Sequence, residues 1–391
     1  MEHYPPDQTF LSGRKLKALA ADLPTPFFLY HAEGIRARAA RLADAFSFAP
    51  AFRQYFPVHL CLCAALLTLL RESGCGAACR TRGELALAAQ AGFTGREILY
   101  SGLDAPDCDC IRIIDDFSLL TEAPPKWALL RYNPGGKLTR DGRVLCALDR
   151  QRTGMGKDAL LKTAALLKSY GVQSIGLCFS GAVNELSPAY LPAVAELLFT
   201  LALELHTQHG ITPDCCCLGD GLAVSLRPQA ASPQVEEAAQ QIEALSRQLL
   251  HPAGLGEMPL YTALGRWLLA PEAIFLTRVR AVKPRTPPLL ITDAAMSQFP
   301  ESVRTANAHH ISICGKTAID GRAVCDVASL PELQPFAARC VLPPAKAGDL
   351  LVFHTAGCVA SSYTPVGGFP PAAQYLLLPD GSLQPLTPTA W

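Results

Sequence analysis

Residues 74–102, GCGAACRTRGELALAAQAGFTGREILYSG, decide the fold. A short apolar run, Gly76 to Arg80, gives way to an amphipathic helical pattern over Gly83 to Ala91. A second apolar run follows from Ile98 to Gly102. Strand, helix and strand in so short a span predict two parallel neighbours, because a parallel pair needs a crossover connection and a helix is the usual one.

The same alternation runs outward in both directions. Further apolar runs at Arg53–His59, Ile111–Asp115, Trp127–Asn133, Ser174–Phe179, Cys215–Asp220 and Leu260–Arg266 complete a set of eight candidate strands. Helical patterns over Asp158–Tyr170, Pro188–Gln208 and Pro233–Leu249 fill the longer intervals. Eight strands with intervening helices over roughly 230 residues predict a (β/α)8 barrel of the TIM type. The fourth-to-fifth connection, DFSLLTEAPPKW, is too short for a full helix.

Past the barrel the texture changes. IFLTRVRAV, PLLITDAA, HHISICG, DLLVFHTAG and QYLLLPDGSLQPL alternate in polarity and are punctuated by proline and glycine, which predicts an antiparallel β domain. The expected class is α/β, with a barrel over 31–268 and a β domain built from 269–391 together with 1–30, whose PFFLY (26–30) supplies a strand.

Half of the 391 residues are hydrophobic, enough for a large core. Lysine plus arginine equals aspartate plus glutamate at 34 each, so no charge excess favours nucleic acid or an anionic membrane as a partner. MEHYPPDQTF has neither a basic nor an apolar signal region, and the apolar stretch Leu191–Leu205 is broken by Glu196 and Glu204. A soluble, cytoplasmic protein is expected. The fifteen cysteines are odd in number and cluster as Cys61 with Cys63, Cys108 with Cys110, and Cys215 to Cys217, without CxxC spacing. They read as core filling rather than as a disulfide framework or a metal site, and no metal is expected.

Together with FPVHLC (56–61), RYNPGG (131–136), YTALGR (261–266) and KAGDLLVFHTAG (346–357), these strings make the chain resemble the fold-type III decarboxylases that use pyridoxal phosphate (PLP), above all diaminopimelate decarboxylase. The likeness extends from TPFFLY at residue 25 to QYLLLPDGS near residue 382. The resemblance implies a lysine at the end of the first barrel strand, in a phrase like FPVKAN, whose amine forms an imine with the PLP aldehyde. His59 stands at that position. An imidazole forms no stable imine.

Other positions implied by the resemblance have changed too. The sixth-strand histidine that would stack on the cofactor is Cys178, and the eighth-strand glutamate that would hold the pyridine nitrogen is Ala263. The glycine-rich phosphate loop carries Asp220 between Gly219 and Gly221. A carboxylate about 4 Å from a phosphate costs about 4 kcal/mol per charge pair at an effective dielectric near ~20. The catalytic Cys-Glu motif falls near Leu330, and the segment that reaches the cofactor carries Cys358 and Val359. Gly265 and Arg266, matching a phosphate-gripping arginine, remain, as does Arg131, a candidate substrate contact.

The positional equivalents of catalytic groups are thus His59, Leu330 and Val359. Cys178, Gly219, Asp220, Gly221, Ala263, Gly265 and Arg266 are remnants of a cofactor site. The expectation is a pseudoenzyme with covalent PLP binding lost and no cofactor, acting by binding or regulation. Its partner would be a second copy in a homodimer or an active paralogous decarboxylase in a heterodimer. The alternative is an active PLP-dependent amino-acid decarboxylase, converting meso-diaminopimelate to L-lysine or acting on a related amino acid, with an unorthodox site.

Each residue also has a plainer reading. His59 is a satisfied histidine in a former pocket, against a new base or ligand. A metal group of His59, Cys61, Cys178 and Cys216 is disfavoured by strand parity, and a Cys178–His59 nucleophile pair lacks an orienting third group. Asp220 caps the following helix, Arg131 and Arg266 are ion-pair partners, and Lys126, Lys137 and Lys157 sit on solvated faces.

Overall fold

The computed structural model describes residues 9–104, 106–119, 124–227, 232–299, 309–329, 336–358 and 370–386. Helix α1 (Gly13–Asp22) leads into strand β1 (Phe27–His31) and helix α2 (Ala32–Ala45). The barrel strands then follow as β2 (Arg53–Pro57), β3 (Gly76–Cys79), β4 (Gly95–Tyr100), β5 (Cys110–Ile114) and β6 (Trp127–Arg131). A hairpin of β7 (Lys137–Arg140) and β8 (Arg143–Ala147) intervenes before β9 (Ser174–Cys178), β10 (Cys216–Cys217) and β11 (Leu260–Thr262). Neighbours in this series, apart from the hairpin, pair in parallel, and β11 pairs with β2 to close the barrel. Helices α3 (Ala64–Glu72), α4 (Arg82–Gln90), α5 (Lys157–Ser169), α6 (Tyr190–His209) and α7 (Val235–Leu249) form the crossovers, and the short α8 (Gly265–Leu269) follows the last strand.

The 74–102 unit shows why the sequence folds this way. Gly76 lies where a Cβ would meet the Tyr55 ring at 2.5 Å, so only glycine lets β3 lie against β2 there. Thr81 caps α4 by accepting from the Glu84 N–H at 3.2 Å, and the Glu84 carboxylate accepts from the Arg80 N–H at 2.9 Å. The Glu84 N–H of the first turn and the Arg80 N–H just ahead of the cap are both satisfied, which fixes where the helix begins.

Inside the barrel Tyr55, Leu99, Ile111, Leu129, Cys178, Cys215 and Cys217 form one buried cluster. Cys216 points to the opposite face, with its sulfur 3.9 Å from that of Met258. The cysteine run thus alternates as a strand must, each thiol packing as a small apolar group.

Several predicted boundaries are corrected. The run 53–59 ends as a strand at Pro57, whose fixed φ leads into a 3-10 turn over Val58–Leu60, so His59 sits on a turn and not on a strand. The seventh strand pairs only at Cys216–Cys217, because Gly219 turns the chain with φ 73°. The eighth ends at Thr262 and the third shifts to Gly95–Tyr100.

The second unit is a nine-stranded sheet. Its central strand is β12 (Ala273–Lys283), followed in the chain by β13 (Leu289–Thr292), β14 (Ile311–Ile313), β15 (Ala323–Ala328), β16 (Ala337–Leu342), β17 (Leu350–Phe353), β18 (Ala373–Leu377) and β19 (Leu383–Leu386). The antiparallel expectation needs amendment at two joins: β1 runs parallel to β18, and β13 parallel to β15. Both partners come from distant parts of the chain, where no tight turn imposes an antiparallel return. Leu16 and Ala20 of α1 pack on Phe27, Leu29, Ile274 and Leu276 of this sheet. No helix among the described residues is long and apolar enough to cross a membrane.

Candidate functional site

The carboxyl ends of the barrel strands bring most of the singled-out residues to one rim, where barrel enzymes carry their chemistry. His59 is half-buried on the turn that leaves β2, between the buried Val58 and Leu60. The turn before α8 packs directly on it: a Cβ at Gly265 would meet Pro57 at 2.5 Å and Leu60 at 2.7 Å. Below them the buried Gln54 fastens the closing seam. Its carbonyl oxygen accepts from the Thr262 hydroxyl at 2.7 Å and from the Leu264 N–H at 3.0 Å, while its amide donates to the Tyr55 carbonyl at 2.9 Å.

Across the barrel, Arg131 ends β6 in register with Cys178 at the end of β9. One Arg131 Nη1 lies 2.8 Å from each oxygen of Asp115, and the same carboxylate accepts from the Gly154 N–H at 2.6 Å. The Arg131 charge is therefore already neutralised by the protein. Cys178 and Cys217 are buried in the barrel interior, and burial pushes both thiols up, so neither is a thiolate nucleophile near neutral pH.

Asp220 is the unusual group. It lies between Gly219 and Gly221, with φ of 73° and 118°. The residue as a whole is half-buried, yet its Oδ1 is enclosed without a hydrogen-bond partner. Burial pushes its carboxyl up to about 6, against the pull of its own backbone N–H and of Arg131, Arg80 and Arg266. It does not cap the helix that follows: α7 begins well downstream, at Val235. The flanking glycines are explained by close approach of the chain to itself. A Cβ at Gly219 would meet the Phe179 carbonyl oxygen at 2.1 Å, and one at Gly221 would meet the Tyr190 ring at 2.3 Å. Ala263 donates its N–H to the Gly219 carbonyl at 2.7 Å, tying this loop to the turn that leads into α8, where Arg266 lies.

All ten lysines of the sequence fall within described residues, and none ends a barrel strand. Lys126 pairs with Asp109 at 2.6 Å, Lys157 pairs with Glu204 at 2.5 Å, and Lys137 is exposed on the β7 strand. Leu330 and Val359 lie outside the described residues; Cys358 is buried. The group His59, Cys61, Cys178 and Cys216 is not brought together, since Cys178 faces the barrel interior and Cys216 the opposite side. Among the described residues no set of three His, Cys, Asp or Glu is arranged to hold a metal ion.

Sequence reasoning missed Asp115 and Gln54 as parts of this rim. Asp115 was only the last residue of a strand, and its partner Arg131 is sixteen positions away. Gln54 carried a readable signal, a lone amide in an otherwise apolar run.

No family model matches the chain. It is 26% identical to protein TabA of Pseudomonas amygdali pv. tabaci over 386 residues, which cover 94% of this chain and 89% of that protein. It is 23% identical to the diaminopimelate decarboxylase of Methanothermobacter thermautotrophicus over 389 residues, 95% of this chain and 91% of the other. Among solved structures, the diaminopimelate decarboxylase from Helicobacter pylori complexed with L-lysine has the same fold, with a TM-score of 0.81 at 20% identity and 95% of each chain covered.

Proposed function

We propose that this chain, a homologue of the diaminopimelate decarboxylases of fold type III, is a pseudoenzyme that keeps the scaffold and has given up PLP chemistry. One observation carries the reading: no lysine ends a barrel strand, and His59 occupies the turn after β2. PLP held as an imine does not fit these residues. Two further requirements also lack a match, although Arg266 is kept. Ala263 offers no charge to a pyridine nitrogen, and Asp220 puts an enclosed carboxylate into a loop that would have to accept a phosphate.

The role that remains is binding or regulation. The resemblance implies active sites assembled at a dimer interface, so a silent subunit that still dimerises would modulate an active paralogue in a cytoplasmic heterodimer. Incubation with PLP, borohydride reduction and peptide mass spectrometry test the reading. Free PLP with no stoichiometric adduct is the expected result; a reduced adduct on one defined lysine would overturn it and identify a replacement amine.

A further inference from the structure

β15 and β16 pair antiparallel, and β16 is the outermost strand on its side of the nine-stranded sheet. In their register Ala323 faces Leu342, Val324 faces Val341 and Cys325 faces Cys340. Directly opposed residues of an antiparallel pair hold their Cα atoms about 4.5–5.5 Å apart. A disulfide spans about 4.4–6.8 Å between Cα atoms, so the backbone already meets its requirement. The two sulfurs lie 3.7 Å apart as thiols, and the Cys340 thiol also reaches the Cys325 carbonyl oxygen at 3.1 Å.

The register is fixed by more than the ladder. Asp326, at the bulge that follows Cys325, accepts from the Arg339 N–H at 2.7 Å and pairs with Arg285 at 2.5 Å. These contacts hold both strands beside the cysteines. The pair also differs in access: Cys325 is buried, whereas Cys340 is only partly so. The two thiols meet sulfur to sulfur, and either can donate to the other. Cys61 with Cys63, and Cys215 with Cys217, are neighbours along one extended chain, where a two-residue separation of about 6.6 Å lies at the limit of disulfide reach.

We propose that Cys325 and Cys340 form a reversible thiol–disulfide site whose oxidant is a low-molecular-weight disulfide. The thiolate of the accessible Cys340 attacks one sulfur of the oxidant RSSR, forming Cys340–S–S–R and releasing RS⁻. The Cys325 thiolate then attacks the Cys340 sulfur, forming the cross-strand bond and releasing a second RS⁻. The two protons lost by the protein thiols and the two electrons leave as two RSH, and an external thiol reverses the sequence. Oxidation staples the outermost strand to the sheet.

The sequence supplies a direct readout. Trypsin cuts after Arg322, Arg339 and Lys346, so Cys325 and Cys340 fall on separate peptides, 323–339 and 340–346. The full-length protein is incubated with oxidised glutathione, alkylated, digested and analysed by mass spectrometry with and without reduction. The expected result is one linked pair of these peptides that dithiothreitol separates, and glutathione stranded on Cys340 in the Cys325→Ser protein. Recovery of both peptides unlinked and alkylated from the oxidised wild-type protein overturns the proposal, as does glutathione left on Cys340 beside an alkylated Cys325. The wild-type measurement decides the matter even if the variant does not fold.

Discussion

Arg131 sets one guanidinium nitrogen 2.8 Å from both carboxylate oxygens of Asp115, so this cation of the barrel rim is spent on its own scaffold. Both side chains are largely buried, with 13% and 22% of their surfaces exposed. Removing one partner of such a pair strands the other charge in a poorly solvated place. Asp115→Ala should therefore destabilise the protein by about 3 kcal/mol. Asp115→Asn should cost less, since its amide oxygen can still accept from the Gly154 N–H. Urea denaturation of both variants checks the order; equal losses would mean that the Gly154 hydrogen bond contributes nothing and that the stranded Arg131 charge accounts for the whole effect.

Asp220 gives a pH prediction. Its folded-state value of about 6 lies above the ordinary 3.8, so the folded protein binds a proton more tightly than the unfolded chain. The penalty for ionising it is absent below pH 4, grows between pH 4 and 6, and persists above. At pH 8 it amounts to at most about 3 kcal/mol. Asp220→Asn should raise the thermal midpoint over wild type at pH 8, with the gap shrinking at pH 5. A gap that does not change with pH would contradict the burial argument.

Gly219 and Gly254 separate strain from crowding. Both have positive φ, 73° and 74°, but a Cβ at Gly254 meets nothing within 4 Å, while one at Gly219 meets the Phe179 carbonyl oxygen at 2.1 Å. Gly254→Ala should cost about 1 kcal/mol from backbone conformation alone. Gly219→Ala should cost more than about 2 kcal/mol, because the loop must also move. Chemical denaturation of the two variants side by side makes the comparison.

The eight-strand alternation was legible because each barrel strand is buried on both faces and reads as a short apolar run, as Ile111–Ile114 and Ala128–Leu130 do. Strand ends were less so. FPVHL continues the apolar run past Pro57 into a 3-10 turn, and LGDGLA continues it past a glycine that leaves the sheet. The hairpin Lys137–Ala147 escaped notice because it is mostly solvated and carries little apolar periodicity. The rim residues His59, Arg131, Cys178, Asp220 and Arg266 could be named from the sequence. The partner of Arg131 could not, because Asp115 comes from the end of the neighbouring strand, sixteen positions away, by a pairing that no local pattern encodes.

Restoring the missing group is the converse test. His59→Lys puts an amine on the turn after β2, and the variant should give a borohydride-reducible PLP adduct at residue 59 that the wild-type protein lacks. With Ala263 and Asp220 unchanged it should not recover decarboxylation. Peptide mapping after reduction checks the first statement; a variant without an adduct at residue 59 would contradict it.

The central claim, a decarboxylase scaffold without decarboxylation, is tested most directly by carbon dioxide release. Purified full-length protein with added PLP is assayed against carboxyl-labelled meso-diaminopimelate and a panel of amino acids. We expect no release above the protein-free blank. Protein-dependent release that heat denaturation abolishes and His59→Ala diminishes would contradict the account and make His59 a working residue of an unorthodox enzyme.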